Sequence, residues 1–191
     1  MRQALKSIVH GHELAFGASF DGMRLAVLET MARELLKTFK AGKKILFCGN
    51  GGSAADSQHI AAEFIGRFKK ERRSLPAIAL TTDTSALTAL GNDYGYESVF
   101  ARQVEGLGQA GDVLIAISTS GNSKNVLEAV KQAKRQQMTT FAFTGKKGGA
   151  LKKTVDHCYH AQSDHTSHIQ EMHITALHAL SEVVENVLFG A

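Results

Sequence analysis

The chain has 191 residues, of which 43% are hydrophobic and 21% are charged, the composition of a globular rather than a disordered protein. Its apolar runs fall short of the roughly 20 residues that a membrane span requires, its N-terminus lacks the apolar core of a signal peptide, and its net charge of +4 is too diffuse to indicate nucleic-acid binding. We therefore expect a cytoplasmic protein that binds neither membranes nor nucleic acid, folded as one domain over residues 1–191.

The N-terminal stretch, residues 1–40, carries apolar side chains at helical spacing. Gly17, Asp21 and Gly22 are predicted to divide it into two helices. These helices have more apolar surface than a chain of this size can cover, which predicts that they pack against another subunit of a homo-oligomer.

From residue 43 onward, short apolar segments alternate with segments of helical pattern. The apolar segments predict strands at 44–48, 76–80, 112–117, 138–143 and 155–160. The helical segments lie at 54–68, from 85, at 125–136 and at 167–188. The basic cluster at 69–73 is expected to be a solvated loop or helix end. This alternation predicts an α/β fold, a three-layer αβα sandwich around a parallel, flavodoxin-like or Rossmann-like sheet.

Two of the predicted strands end in small, glycine-rich and hydroxyl-rich loops that open helices. The first loop is Gly49–Ser53, and the second, Ser118–Ser123, holds four hydroxyl side chains around one glycine. Such loops offer free backbone N–H groups at a helix N-terminus, together with hydroxyls that can bind phosphate oxygens. Ordinary N-capping explains one such loop equally well, but two at the carboxyl edge of one sheet favour a ligand site, with the phosphate on the second loop.

The common nucleotide fingerprints are missing from this sequence. The first loop fails the GxGxxG pattern because Ala54 occupies the position of the last glycine, and the chain contains no GxxxxGK[ST] sequence. A dinucleotide site of that type and a P-loop are therefore excluded.

Two further pairs of polar residues lie on predicted helices. His59 and Glu63 have the i, i+4 spacing that places both on one helix face, where they can share a metal ion or a substrate. Gln170 and His178 lie about 80° apart around the axis of the last helix and can also face one site. Structural or surface roles explain histidines on helices equally well, so the residues alone leave both interpretations open.

Taken together, these stretches resemble the signature sequences of the bacterial phosphoheptose isomerases, which belong to the sugar isomerase (SIS) domain superfamily. The resembling segments are Gly49–Ser53 with His59 and Glu63, Gly91–Asp93, Ser118–Ser123 and Ile169–His173, in order between about residues 43 and 188. The resemblance implies a homotetramer with sites between subunits. It also implies conversion of sedoheptulose 7-phosphate to D-glycero-D-manno-heptose 7-phosphate, the first step of ADP-heptose synthesis for lipopolysaccharide core or capsule.

The resemblance also assigns site residues position by position. It places the sugar phosphate on Ser118, Thr119, Ser120 and Ser123, and the sugar chain against Asn50, Gly51, Gly52, Ser53, Asn92 and Asp93. It assigns one Zn²⁺ per subunit, in an exchangeable and partly occupied site, to His59, Glu63, Gln170 and His178, with Glu63 and Gln170 also touching substrate. It gives proton transfer to Glu63 and His178. Ser167 stands where some family members have aspartate, which leaves the exact sugar open.

These residue types suit aldose–ketose isomerisation, which moves a proton between adjacent carbons through an enediol or enediolate. A carboxylate can remove the proton next to the carbonyl, and a histidine can supply one to oxygen near neutral pH. The main alternative is a non-catalytic relative, a SIS-domain tetramer that binds the replication initiator protein. In that group the base and acid positions hold residues unable to titrate, whereas this chain keeps Glu63 and His178. The roles of Glu171, His168 and His173 stay open.

Overall fold

The structure is a computed structural model that describes residues 1–190. Its eight α-helices among those residues are α1 (Arg2–Ser19), α2 (Gly22–Lys40), α3 (Gly52–Ile65), α4 (Thr84–Tyr94), α5 (Val99–Leu107), α6 (Lys124–Arg135), α7 (Leu151–Thr154) and α8 (Thr166–Phe189). The strands are β1 (Ile45–Gly49), β2 (Ala77–Ala79), β3 (Val113–Ser118), β4 (Thr139–Thr144) and β5 (His157–His160). A single 3₁₀ turn, Tyr96–Ser98, precedes α5.

The five strands form one sheet in the order β2-β1-β3-β4-β5, and every pairing is parallel. This is the flavodoxin-like strand order, whose ligand site lies at the carboxyl edge between β1 and β3, where the chain reverses its direction across the sheet. All residues of β1 and β3 are buried, because helices cover both faces of the sheet. The predicted fold class is confirmed.

Two apolar cores lie on opposite faces of the sheet, because successive strand residues point to opposite sides. Phe47 faces a core that α2, α3 and α8 cover. Cys48 faces the other core, which is covered mainly by α5 and α6. The chain therefore forms three layers, with α3 and α8 together on one face and both beginning near the carboxyl edge of β1.

Several predicted boundaries shift in the structure. The N-terminal helix continues through Gly17, and the break falls at Phe20 and Asp21, where the Asp21 side chain accepts a hydrogen bond from the backbone N–H of Arg24 as the N-cap of α2. The edge strand β2 is shorter than predicted. Helix α5 was missed, and α3 ends at Ile65 rather than near 68.

The amino edge of the sheet is closed by a buried ion pair. The Asp112 carboxylate, 1% exposed, lies 2.6 Å from Nζ of Lys44. It also accepts hydrogen bonds from the backbone N–H groups of Lys44 at 3.0 Å and Gln109 at 2.8 Å. This pair joins the starts of β1 and β3, at the end of the sheet opposite the predicted ligand loops.

Within residues 1–190, no helix is both long and apolar enough to cross a bilayer.

Candidate active site

The loop after β1 is tied to the loop after β3 by a pair of amides. The Asn50 side chain donates to Oδ1 of Asn125 and accepts from Nδ2 of Asn125, both at 2.9 Å, and the Tyr96 hydroxyl donates to Oδ1 of Asn50 at 3.2 Å. Asn125 is 4% exposed and lies in the first turn of α6. A buried amide with its hydrogen bonds satisfied fixes geometry, so Asn50 is held in one orientation.

Glycine is required in this loop for two separate reasons. Gly51 has φ +56°, a left-handed conformation that favours glycine. At Gly52, a Cβ atom would lie 2.4 Å from Nε2 of Gln170 on α8. The close approach brings Gln170, which the family resemblance assigned to both substrate and metal, against the loop.

The loop after β3 gathers its hydroxyls at the N-terminus of α6. Oγ of Ser118 lies 2.9 Å from Oγ of Ser123 and 3.5 Å from Oγ of Ser120. Gly121 has φ +67°, and a Cβ there would lie 2.1 Å from the carbonyl oxygen of Gly148. Hydroxyl donors and backbone N–H groups at the start of a helix form a site that suits a phosphate group.

A cleft of about 310 Å³ opens beside this loop. Thr119 and Ser120 form one wall, and Lys146 and Lys147, from the loop after β4, form another. The two lysines outnumber the one carboxylate in the lining, Asp164, so the cleft keeps a net positive charge that favours an anionic ligand.

The third component is a cluster of His59, Glu63 and His178. Nε2 of His59 lies 3.1 Å from Oε1 of Glu63, one helical turn away, and 3.4 Å from Nε2 of His178 on α8. One donor atom from each residue lies within 4.8 Å of the others. The structure thus brings together residues of α3 and α8 that the spacing patterns indicated separately and that the family resemblance assigned to one site.

This donor set fits a zinc ion. Two imidazoles and one carboxylate are common zinc ligands that leave a further position open. Burial lowers the pKa of His178, His59 lowers it further, and Glu63 opposes both, so the neutral imidazole that a metal requires is favoured. Gln170 lies on the same helix as His178, against Gly52.

Three predicted sugar-binding residues have other contacts here. Ser53 is 3% exposed, and its carbonyl oxygen accepts a hydrogen bond from Ser57, so it packs in the first turn of α3. Asn92 and Asp93, at the end of α4, hydrogen-bond to each other at 2.8 Å. Within residues 1–190 neither makes a hydrogen bond to the two loops, and their place in the site stays a prediction.

The three residues whose roles were open after the sequence analysis link other elements. Glu171 pairs with His12 of α1. His168 lies 3.3 Å, Nδ1 to Oγ, from Ser163. His173 is fully buried and hydrogen-bonds through Nε2 to the carbonyl oxygen of Thr144 at 3.0 Å. All three hold α8 against its neighbours.

Sequence reasoning missed four residues that contact the loop after β1 or surround the cluster. Asn125 could have been found as a polar residue directly after the hydroxyl loop, on the buried face of an amphipathic helix. Phe68 stacks on the ring of His178, with centroids 5.6 Å apart and planes at 22°. Burial raises the pKa of Asp56 to about 6, with His59 opposing. Arg72, in the cluster expected to be solvated, is instead buried, which corrects that expectation.

The fold is that of a sugar isomerase domain: a family model described as "SIS domain" matches residues 22–145. The chain is 49% identical over 190 residues to a phosphoheptose isomerase of Campylobacter concisus, covering 100% of both chains. It is 54% identical over 163 residues to that of Akkermansia muciniphila, covering 85% and 86%.

Solved structures agree with these relatives. The phosphoheptose isomerase GmhA from Neisseria gonorrhoeae superposes with a TM-score of 0.91 at 42% identity, covering 97% of this chain and 98% of that one. A phosphoheptose isomerase from Francisella tularensis gives 0.93 at 35% identity, covering 96% and 97%. The chain therefore belongs to the phosphoheptose isomerase family of SIS domain proteins.

Proposed function

We propose that this protein is a phosphoheptose isomerase, an aldose–ketose isomerase that interconverts sedoheptulose 7-phosphate and D-glycero-D-manno-heptose 7-phosphate. The observation that carries the proposal is the approach of Glu63 and His178 within one cluster, on two helices that also bring Gln170 against the loop after β1. A carboxylate and an imidazole in one site can exchange protons with adjacent carbon and oxygen atoms of a sugar.

The loop after β3 holds the phosphate end of the substrate. Ser118, Thr119, Ser120 and Ser123 supply hydroxyl donors, and the start of α6 supplies backbone N–H groups. The sugar chain then runs toward Asn50, Gly51, Gly52 and Ser53, with Asn92 and Asp93 at its side. Holding a non-reacting phosphate in this way positions the carbonyl end for reaction.

Proton transfer takes place at the other end of the substrate. Glu63 removes the proton from the carbon next to the carbonyl, and His178 transfers a proton to or from the sugar oxygens. Gln170 orients the same oxygens from α8. The lowered pKa of His178 leaves a neutral imidazole at pH 7 that can accept a proton and return it.

His59, Glu63, Gln170 and His178 would hold one Zn²⁺ per subunit. When bound, zinc would polarise the carbonyl and stabilise negative charge on the enediolate. Glutamine is an unusual zinc ligand, and His59 is half exposed, which supports an exchangeable and partly occupied site.

A homotetramer with sites between subunits is part of the proposal. Large apolar side chains on α1 and α2 are exposed in the single chain: Leu5, Ile8, Val9, Leu14, Phe16, Met23 and Leu25. Covering them against other copies would remove an apolar surface that is costly in water. We further propose that residues 1–191 act as one SIS domain in the cytoplasm, supplying heptose for lipopolysaccharide or capsule.

The test is turnover of sedoheptulose 7-phosphate by the purified protein, followed by proton NMR of the sugar, with and without added Zn²⁺. Formation of the aldose phosphate would support the proposal. If no aldose forms from this or any related ketose phosphate under either condition, the proposal is wrong. That result would favour the alternative, a non-catalytic SIS-domain tetramer that binds the replication initiator protein.

A further inference from the structure

A buried carboxylate holds the segment that follows α3. Glu185 of α8 is 1% exposed. It accepts hydrogen bonds from three successive backbone N–H groups, those of Phe68 at 3.0 Å, Lys69 at 2.8 Å and Lys70 at 3.1 Å. Burial raises the pKa of Glu185, but these hydrogen bonds and one from Arg72 outweigh it, and the net shift is downward. The carboxylate is therefore charged at neutral pH.

Arg72 is the cation that completes this arrangement. Its side chain is 2% exposed, and its Nε donates to Oε1 of Glu185 at 2.9 Å. Its remaining donors reach the end of α3: Nη1 donates to the carbonyl oxygens of Phe64 and Gly66, both at 2.9 Å, and Nη2 donates to that of Glu63 at 2.7 Å. The last carbonyl groups of a helix have no partner within it, and Arg72 supplies one.

The Arg72–Glu185 pair therefore contacts both helices that carry the acid–base cluster. On α3 it binds the main-chain carbonyl of Glu63 itself. On α8, Glu185 lies seven residues, close to two helical turns, beyond His178. The same carboxylate fixes the backbone of Phe68, whose ring stacks on the His178 imidazole.

We infer that Arg72 and Glu185 are positioning residues for the isomerase reaction: the pair sets the separation of Glu63 and His178, and it places Phe68 against the His178 ring. This inference rests on the proposed function. Neither side chain touches the reacting atoms. A buried pair costs free energy to desolvate and is weak evidence for stability alone, whereas a shift of about 1 Å between reacting groups can lower a rate about a hundredfold.

The chain offers a matched control in Asp112. It is also 1% exposed and accepts hydrogen bonds from two backbone N–H groups and one cationic side chain, but at the opposite edge of the sheet. Glu185→Gln and Asp112→Asn should both lower the unfolding midpoint in urea. Only Glu185→Gln should lower kcat, by about tenfold to a hundredfold, with KM changed less than threefold because the phosphate loop is untouched.

A second variant separates positioning from folding. Phe68→Leu leaves the Arg72–Glu185 pair in place and removes only the ring beside His178. We expect kcat to fall about fivefold to tenfold, with KM and the unfolding midpoint close to those of the wild type. If Glu185→Gln does not fold, this variant still decides whether the segment orients His178.

A third measurement does not need turnover. The affinity for Zn²⁺ alone, measured by competition with a chelating dye, should fall at least tenfold in Glu185→Gln and stay unchanged in Asp112→Asn, because the ligands lie on both helices. Unchanged kcat and unchanged zinc affinity in Glu185→Gln would overturn the inference. An inactive wild type whose zinc affinity responds only to Glu185→Gln would contradict the proposed function while keeping the positioning role.

Discussion

The loop Ser118–Ser123 and the cluster of His59, Glu63 and His178 are built in different ways. The loop is six consecutive residues between one strand and one helix, and its hydroxyls meet because the chain turns there. The cluster joins side chains 119 residues apart, from α3 and α8, and exists only because both helices pack on the same face of the sheet. The proposed phosphate site is therefore a local property of the chain, whereas the proposed acid–base site depends on long-range packing.

The largest expected effect comes from changing the cluster alone. Glu63→Gln keeps the size of the side chain but removes the base, so kcat should fall about a thousandfold while KM stays within threefold. Steady-state kinetics on sedoheptulose 7-phosphate measures both constants. Glu128→Gln, an exposed change on α6 that breaks only a surface ion pair, is the control. A Glu63→Gln variant that retains more than a tenth of the wild-type kcat would exclude Glu63 as the base.

His173 bonds α8, the helix that carries His178, to the carbonyl oxygen of Thr144 at the end of β4. Burial lowers its pKa to about 4, partly offset by that hydrogen bond. The ring is neutral when folded and has a pKa near 6.5 when unfolded, so its contribution to stability is complete above pH 6.5 and is lost as the pH falls toward 4. The difference between the two pKa values corresponds to about 3 kcal/mol.

Urea unfolding at pH 7 and pH 4.5 measures this loss. His173→Phe should reduce the pH dependence by about 2 to 3 kcal/mol. The pKa of Asp56 is raised in the folded protein, so its contribution to the free energy of unfolding increases as the pH falls. This change opposes that of His173 over the same pH range. Equal pH dependence in the wild type and His173→Phe would show that His173 does not carry this effect.

Changing the loop alone should have the opposite kinetic signature to Glu63→Gln. Ser120→Ala removes one hydroxyl at the start of α6, and a hydrogen bond to a charged phosphate contributes about 1.5 to 3 kcal/mol. KM should therefore rise at least tenfold, with kcat within threefold. Thr30→Ala, which removes an exposed hydroxyl of α2, should change neither constant. A fall in kcat without a rise in KM would place Ser120 in the chemistry rather than in phosphate binding.

The smallest expected effect concerns the amide pair between the two loops. Tyr96→Phe removes one exposed hydrogen bond to Asn50, and the two bonds with Asn125 remain. We expect KM to rise no more than about threefold. A tenfold or larger rise would show that the Tyr96 hydroxyl touches the substrate directly.

The sequence predicted the strand–loop–helix structure of the local region. Ser118–Ser123 stands out because hydroxyls and a glycine follow a continuous apolar strand, and strand ends of a parallel sheet meet at one edge. The same logic predicted the sheet, apart from boundaries at its ends. The sequence analysis missed α5, because no helix or strand was predicted over that stretch.

The long-range region was predicted only in part. The i, i+4 pair of His59 and Glu63 is a local pattern, but no spacing links it to His178, and only the family resemblance joined them. Arg72 gave no signal, because the partner that buries it lies 113 residues away on α8. From the sequence alone, a basic cluster is predicted to be exposed to solvent, because the helix that packs against it is not known.

Isothermal titration of sedoheptulose 7-phosphate into the Glu63→Gln and Ser120→Ala variants tests this division most directly. We predict that Glu63→Gln binds the sugar phosphate with a Kd close to the wild-type KM and does not turn it over, whereas Ser120→Ala binds at least tenfold more weakly and still turns it over. Loss of binding in Glu63→Gln, together with wild-type binding in Ser120→Ala, would contradict the separation of phosphate binding from proton transfer.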